Sequence, residues 1–222
     1  MIVSFTLNGR SRTVDIEPSA LVADLLRENL NLTGTHVGCD TSQCGACVVL
    51  FNGEAVQMFH QPAAHTDGDI LVHFRHADVV STGDLFTTTM YPFIDDANGG
   101  TIDGYIRALN NIITITVPSN VNEGGTMVIP GHGRLSDEQG VIEYRDMVTI
   151  IRDRILEYVK RGMTLDQVKA KKPTLDFEPR YGSDEGFWTT SMFIEVIYKQ
   201  MLAANPPAKT AKPAAPAKRG NK

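Results

Sequence analysis

Three short motifs carry the residues best suited to chemistry in this 222-residue chain. They are AHTDGD (Ala64 to Asp69), STGDLF (Ser81 to Phe86) and IPGHG (Ile129 to Gly133). Each sets a metal-competent side chain, His65, Asp84 or His132, near glycine, and each follows an apolar, β-type run. Glycine suits a loop at a strand end, where the backbone must turn sharply and crowd an ion. Two imidazoles and one carboxylate are borderline ligands that suit zinc, iron or manganese. A second cluster is formed by Cys39, Cys44 and Cys47, spaced C-x4-C-x2-C. Gly38 and Gly45 let backbone N–H groups approach these sulfurs and stabilise negative charge there.

Each residue also has a plainer reading. His65 competes as a core histidine, against which stand the three polar residues that follow within HTDGD. A Gly-Asp pair such as Gly83-Asp84 is a common turn former. Asp67 and Asp69 either orient a ligand histidine from behind or cap the local turn. The cysteines are either cluster ligands or free thiols. His36, His73 and His76 have no partner signal and read as structural or surface residues.

The elements that must position these groups follow from periodicity. Ile2 to Leu7 alternates apolar and polar, Asn8-Gly9 is a hairpin turn, and Ser11 to Ile16 resumes the alternation. Pro18-Ser19 opens an expected helix with Leu21, Val22, Leu25, Leu26 and Leu30 on one stripe. The cysteine loop follows, then an apolar strand from Val48. Val56 to Phe59 is an expected strand leading to the His65 loop, and Ile70 to Arg75 with Ala77 to Ser81 an expected hairpin. Phe86 to Asn98 reads as a long loop with Met90, Tyr91 and Phe93, and Thr101 to about Thr116 as a helix. Thr126 to Ile129 is a buried-type strand delivering His132. Ser136 is the expected N-cap of a long helix, Asp137 to Arg161, ended by Gly162. A short helix, Thr164 to Lys171, stops at Pro173. The last, Phe187 to Ala204, is expected to bury Trp188, Phe193, Ile197 and Leu202. From Asn205 onward the Ala, Lys and Pro composition predicts a disordered basic tail.

Composition excludes several classes. The chain is 42% hydrophobic and 21% charged with a net charge of -5, so no electrostatic footprint for nucleic acid is visible. No apolar run approaches the roughly 20 residues of a membrane helix, and no secretory signal opens the chain. Three clustered cysteines argue for metal or cluster ligation in a reducing compartment, the cytoplasm.

Hairpin, helix and cysteine loop occur in the order of a β-grasp ferredoxin, and C-x4-C-x2-C is the plant-type [2Fe–2S] spacing. The wording GCDTSQCGAC (Gly38 to Cys47) resembles the small iron–sulfur subunits of the carbon monoxide dehydrogenase and xanthine dehydrogenase family. The resemblance covers residues 1 to about 55 and implies a [2Fe–2S] cluster on Cys39, Cys44 and Cys47. Such a cluster takes four protein ligands. The family's fourth cysteine would fall at Phe59, with His60 beside it, and its second, helical domain is absent.

His65, Asp84 and His132 resemble, one for one, the last three metal motifs of the metallo-β-lactamase superfamily, over about residues 51 to 202. The superfamily's HxHxDH loop is absent from the sequence. The two resemblances meet at FNGEAV (Phe51 to Val56), which suits a hairpin of either family. The chain thus reads as a chimera of α+β class. Residues 1–55 form an incomplete ferredoxin-like segment, 56–204 the C-terminal half of an αββα sandwich, and 205–222 the tail. The resemblance implies a degenerate metallo-hydrolase holding zinc, iron or manganese on His65, Asp84 and His132, with hydrolysis weak or absent. The alternative is an electron-transfer small subunit of a molybdenum hydroxylase-type oxidoreductase. Loss of the opposing layer would leave a bare apolar sheet face. This predicts association, as an oligomer or as a subunit of a larger oxidoreductase, and no nucleic-acid or membrane partner.

Overall fold

The structure, a computed structural model, describes residues 1–17, 22, 25–32, 49–51, 53–121 and 124–206. Cys39, Cys44, Cys47, His36 and the basic tail beyond residue 206 lie outside the described residues, as does most of the helix expected from Pro18.

The N-terminal hairpin forms as the alternation predicts. β1 (Ile2–Leu7) pairs antiparallel with β2 (Arg10–Asp15), and Asn8 and Gly9 take the positive φ angles of a tight turn. This pair is a sheet of its own. Leu25 and Leu26, in a single wide helical turn at Leu25–Asn29, are buried as the expected stripe requires, but Val22 is exposed.

A second sheet has five strands in the order β3 (Val49–Phe51), β4 (Glu54–Gln61), β5 (Asp69–Phe74), β6 (Val79–Thr87) and β7 (Met127–His132). The β3–β4 hairpin turns at Gly53, so the FNGE phrase is spent inside this sheet. Neighbours are antiparallel except β6 and β7, which run parallel. A parallel pair needs a crossover, and α1 (Ile102–Ile115) supplies it.

Thr101 caps α1: its hydroxyl accepts from Gly104 N at 3.0 Å and donates to Ala63 O at 2.7 Å, pinning the helix to the His65 turn. α2 (Glu138–Lys160) is capped by Asp137, whose carboxylate accepts from Gly140 N at 3.0 Å, and not by Ser136 as expected. Both residues are good N-caps; Ser136 is instead held in an isolated bridge to Val128. A Thr164–Gln167 capping box starts α3 (Leu165–Ala170). After the short α4 (Glu178–Tyr181), α5 (Thr190–Ala204) begins at the Thr189 cap, three residues later than expected. Phe187 therefore falls outside the helix and is 71% exposed, while Phe193, Ile194, Ile197 and Met201 form the buried stripe.

Register assigns the two faces of the larger sheet. Phe59, Leu71, Val80 and Val128 point to one face and are buried beneath α1, α2 and α5. Burying each such side chain contributes about 1.5–3 kcal/mol. The opposite face presents Val56, Phe74, Val79 and Met127 in one row and Met58, Val72, Ser81 and Ile129 in the next. There Met127 and Ile129 are 46% and 37% exposed. Among the described residues no helix is long and apolar enough to cross a membrane.

Candidate metal centre

His65 sits in the turn between β4 and β5. The turn is held locally: Asp67 Oδ1 accepts from Ala63 N at 3.1 Å, and Ala64 N donates to Thr66 O at 2.8 Å. It is also held from outside, because His65 O accepts from Asp95 N at 2.9 Å and Asn98 O accepts from Asp67 N at 3.0 Å.

Asp84 lies within β6. The apolar run was expected to end at Ser81, with Asp84 in a loop beyond it; the strand in fact continues to Thr87. What the sequence signals as a break is a bulge. The pairing of β6 with β7 slips between Ser81 and Gly83 and again between Gly83 and Thr87. Gly83 takes φ +53°, a conformation that glycine adopts at little cost. Bulges re-aim side chains, and Asp84 projects from this one. Thr82 Oγ1 donates to Ile129 O at 3.1 Å and helps hold the strands together where the ladder fails. The buried Tyr105 of α1 donates its hydroxyl to Asp84 O at 3.0 Å.

His132 ends β7, and its carbonyl accepts from Thr88 N at 3.1 Å. Beside it, Gly131 has no room for a side chain: a Cβ there would run into Asp84 Oδ1 and the Gly83 carbonyl.

The three side chains meet around one carboxylate. His132 Nε2 lies 3.2 Å from Asp84 Oδ1, and His65 Nε2 lies 4.0 Å from Asp84 Oδ2. His65 Nε2 is buried and has no hydrogen-bond partner. On the other side of its ring, Nδ1 donates to Asp69 Oδ1 at 3.2 Å, while Asp69 Oδ2 accepts from Thr66 N at 2.7 Å. The Asp69 hydrogen bond raises the His65 pKa above its ordinary value. Burial opposes this, and the charges of Asp69, Asp84 and Asp95 add to it. The pocket grades outward: the side chains of His65 and Asp69 are 14% and 11% exposed, those of Asp84 and His132 45% and 64%. Among the described residues no group of three or more His, Cys, Asp or Glu side chains stands in a ready-made ion cage. As they stand, the His132 imidazole and the Asp84 carboxylate form a close pair.

Asp67 and Asp69 separate into the two roles left open for them. Asp69 grips His65, whereas Asp67 caps the turn. His73 lies on β5 with its pKa lowered by burial, and His76 is exposed near Glu54, 3.8 Å from Oε2. His60 is exposed, its Nε2 2.6 Å from Asp67 O. Phe59, at the position of the missing fourth cysteine, is buried in the core. Tyr105 was not anticipated as a site residue. It belongs to the apolar stripe of α1, and only its hydroxyl distinguishes it there.

Residues 5–72 match the family described as 2Fe-2S iron-sulfur cluster binding domain. Over 67 residues the chain is 40% identical to "Caffeine dehydrogenase subunit gamma" of Pseudomonas sp. (strain CBB1), covering 30% of this chain and 40% of that one. Over 70 residues it is 37% identical to "Nicotinate dehydrogenase small FeS subunit" of Eubacterium barkeri, covering 32% and 45%. The chain thus spans less than half the length of these relatives. Among solved structures it is similar to the stereoselective inverting sec-alkylsulfatase Pisa1 from Pseudomonas sp., with TM-score 0.52 and 14% identity over 69% of this chain and 25% of that one. A shorter likeness, TM-score 0.36 at 12% identity over 46% of this chain and 45% of the other, is to a metallo-beta-lactamase from Pontibacter korlensis. At 14% identity what is shared with the sulfatase is fold. The chain is thus similar to a 2Fe-2S domain over residues 5–72 and shares the fold of part of the sec-alkylsulfatase over most of its length, consistent with a fusion of two kinds of segment.

Proposed function

We propose that this chain is a metal-binding, degenerate hydrolase of the metallo-β-lactamase fold, with His65, Asp84 and His132 holding a single zinc, iron or manganese ion. The observation that carries this reading is the position of Asp84 between two imidazole Nε2 atoms, one of them buried and unpartnered. A buried nitrogen without a partner is costly, and a cation facing it would remove that cost. The donor set, two nitrogens and one oxygen, fits a zinc site with open positions. An ion bound there supplies Lewis acidity and an acidified water.

The chain's own residues divide the remaining work. Asp69 fixes the His65 tautomer, so that Nε2 offers its lone pair toward Asp84, as carboxylate–histidine pairs do at metal sites. Tyr105 and the Gly83 bulge hold the Asp84 backbone. The HxHxDH loop would supply a second ion's ligands and the residue that orients water, and without it hydrolysis should be near background. Metal analysis of the purified chain, followed by assays on generic ester and lactam substrates, tests this reading. A chain without metal affinity would overturn it.

A second reading is supported by the family match at residues 5–72 and by relatives that are dehydrogenase subunits. On it, the N-terminal segment carries a [2Fe–2S] cluster and passes electrons within a larger oxidoreductase of the reducing cytoplasm. A partner chain, or a second copy of this one, would then cover the exposed sheet face. Cys39, Cys44 and Cys47 are one ligand short of the four such a cluster takes, and the buried phenyl ring of Phe59 cannot be the fourth. The test is a visible absorption band after anaerobic reconstitution with iron and sulfide.

A further inference from the structure

An unbroken chain of ring contacts leads from the candidate centre to the surface. The His65 imidazole lies 5.4 Å from the Phe93 ring, centroid to centroid. Phe93 is in turn 5.0 Å from Phe187 and meets Trp188 edge-on at 4.8 Å. Phe93 and Trp188 are half-buried, whereas Phe187 is 71% exposed. A phenyl ring so exposed gains little from burial and would ordinarily be free to move.

Here its surroundings are tied down. The loop bearing Phe93 is hydrogen-bonded to the His65 turn through Asp95 N to His65 O at 2.9 Å. Trp188 Nε1 donates to Pro92 O at 3.0 Å. The segment bearing Phe187 is closed at its base, where Ser183 O accepts from Thr190 N at 2.8 Å and Ser183 N donates to Thr190 Oγ1 at 3.1 Å. Rings held in place before a ligand arrives lose little freedom when it binds, which favours stacking.

We propose that Phe187, continued by Phe93 to His65, is a shelf that binds the aryl group of a small ligand of this same site, so that the ligand class is aryl compounds. This rests on the metal-centre reading given above.

Trp188 is the chain's single tryptophan and touches Phe93, so its fluorescence reports occupancy of the shelf. The experiment titrates the full chain with phenyl acetate, against ethyl acetate as the ester without a ring. Zinc binding is measured separately on the same preparations. The expected result is saturable quenching by phenyl acetate alone. Phe187→Leu should weaken it by about three- to tenfold, and Phe187→Tyr should retain it. Because Phe187 lies at the surface, both variants should fold. Absence of saturable quenching, or quenching unchanged in Phe187→Leu, overturns the shelf even where zinc still binds. Intact ring-dependent quenching in a chain that binds no zinc overturns the metal centre instead, and with it the shelf's place in that site.

Discussion

Asp69 holds His65 from behind, through the 3.2 Å hydrogen bond from His65 Nδ1 to Asp69 Oδ1. This contact raises the His65 pKa and leaves Nε2 as the atom that faces Asp84. Two outcomes follow for Asp69→Asn. In the metal-loaded protein, loss of the orienting carboxylate should weaken zinc binding by about 10–100-fold, read by competition with a chromophoric chelator. In the metal-free protein the effect depends on pH. A raised histidine pKa contributes stability that is full below the unfolded value of about 6.5 and is lost as pH rises through the folded value. Thermal melts should therefore show the larger gap between wild type and Asp69→Asn near pH 6, and a smaller one near about pH 8.5.

His132→Ala should abolish metal binding without unfolding the chain. The side chain is 64% exposed and makes its contact with Asp84 at the surface. Loss of zinc in a dialysis assay, with an unchanged melting temperature, is the expected result. Robust ester turnover by the wild-type chain that disappears in His132→Ala would show that other residues rebuild the missing half of the site.

Gly131→Ala should act through Asp84. The added methyl meets Asp84 Oδ1 and the Gly83 carbonyl, so either the bulge or the carboxylate must move. Overpacking of this kind costs about 1–3 kcal/mol. Chemical denaturation should show that loss, and zinc affinity should fall with it. Unchanged affinity would mean that the bulge does not set the Asp84 position.

Tyr105→Phe removes one hydroxyl from a buried ring and leaves the Asp84 carbonyl without that donor. Loss of one part-buried hydrogen bond of this kind is expected to cost about 0.5–1.5 kcal/mol. Zinc affinity should weaken as the strand loosens at Asp84. If stability falls while affinity is retained, Tyr105 serves the core alone.

Cys39→Ser should leave the secondary structure of the N-terminal segment nearly unchanged. The β1–β2 hairpin is complete in its own hydrogen bonds, without any cysteine. Far-ultraviolet circular dichroism before and after the substitution is the check; unfolding would show that a cluster is structural.

Much of the architecture was legible in order and type. Period-two alternation marks β1 and β2, the run from Ile70 marks β5, and the segment from Thr101 to about Thr116 after Gly99-Gly100 marks α1. These signals are local, which is why the sequence carries them. The boundaries that were misread have one cause in common: a residue type with two uses. Ser136 and Asp137 both cap helices, and only the pairing of Ser136 with Val128 decides between them. Phe187 and Trp188 look like helix residues, yet the Thr189 cap starts the helix after them.

By itself the sequence determined that His65, Asp84 and His132 are chemically able to bind one ion, because donor type is a property of each side chain alone. It also determined that Phe59 cannot replace a fourth cysteine. Their meeting was decided only by the tertiary structure. Asp84 reaches both imidazoles because β6 slips against β7 at Gly83, a register shift that no local pattern encodes. Likewise Asp67 and Asp69, alike in composition, part company only once the turn is closed. One carboxylate then faces a backbone N–H and the other a ring nitrogen. Pairing between strands distant in sequence is a sum over the whole sheet, and the position of a side chain at a bulge is fixed by that sum.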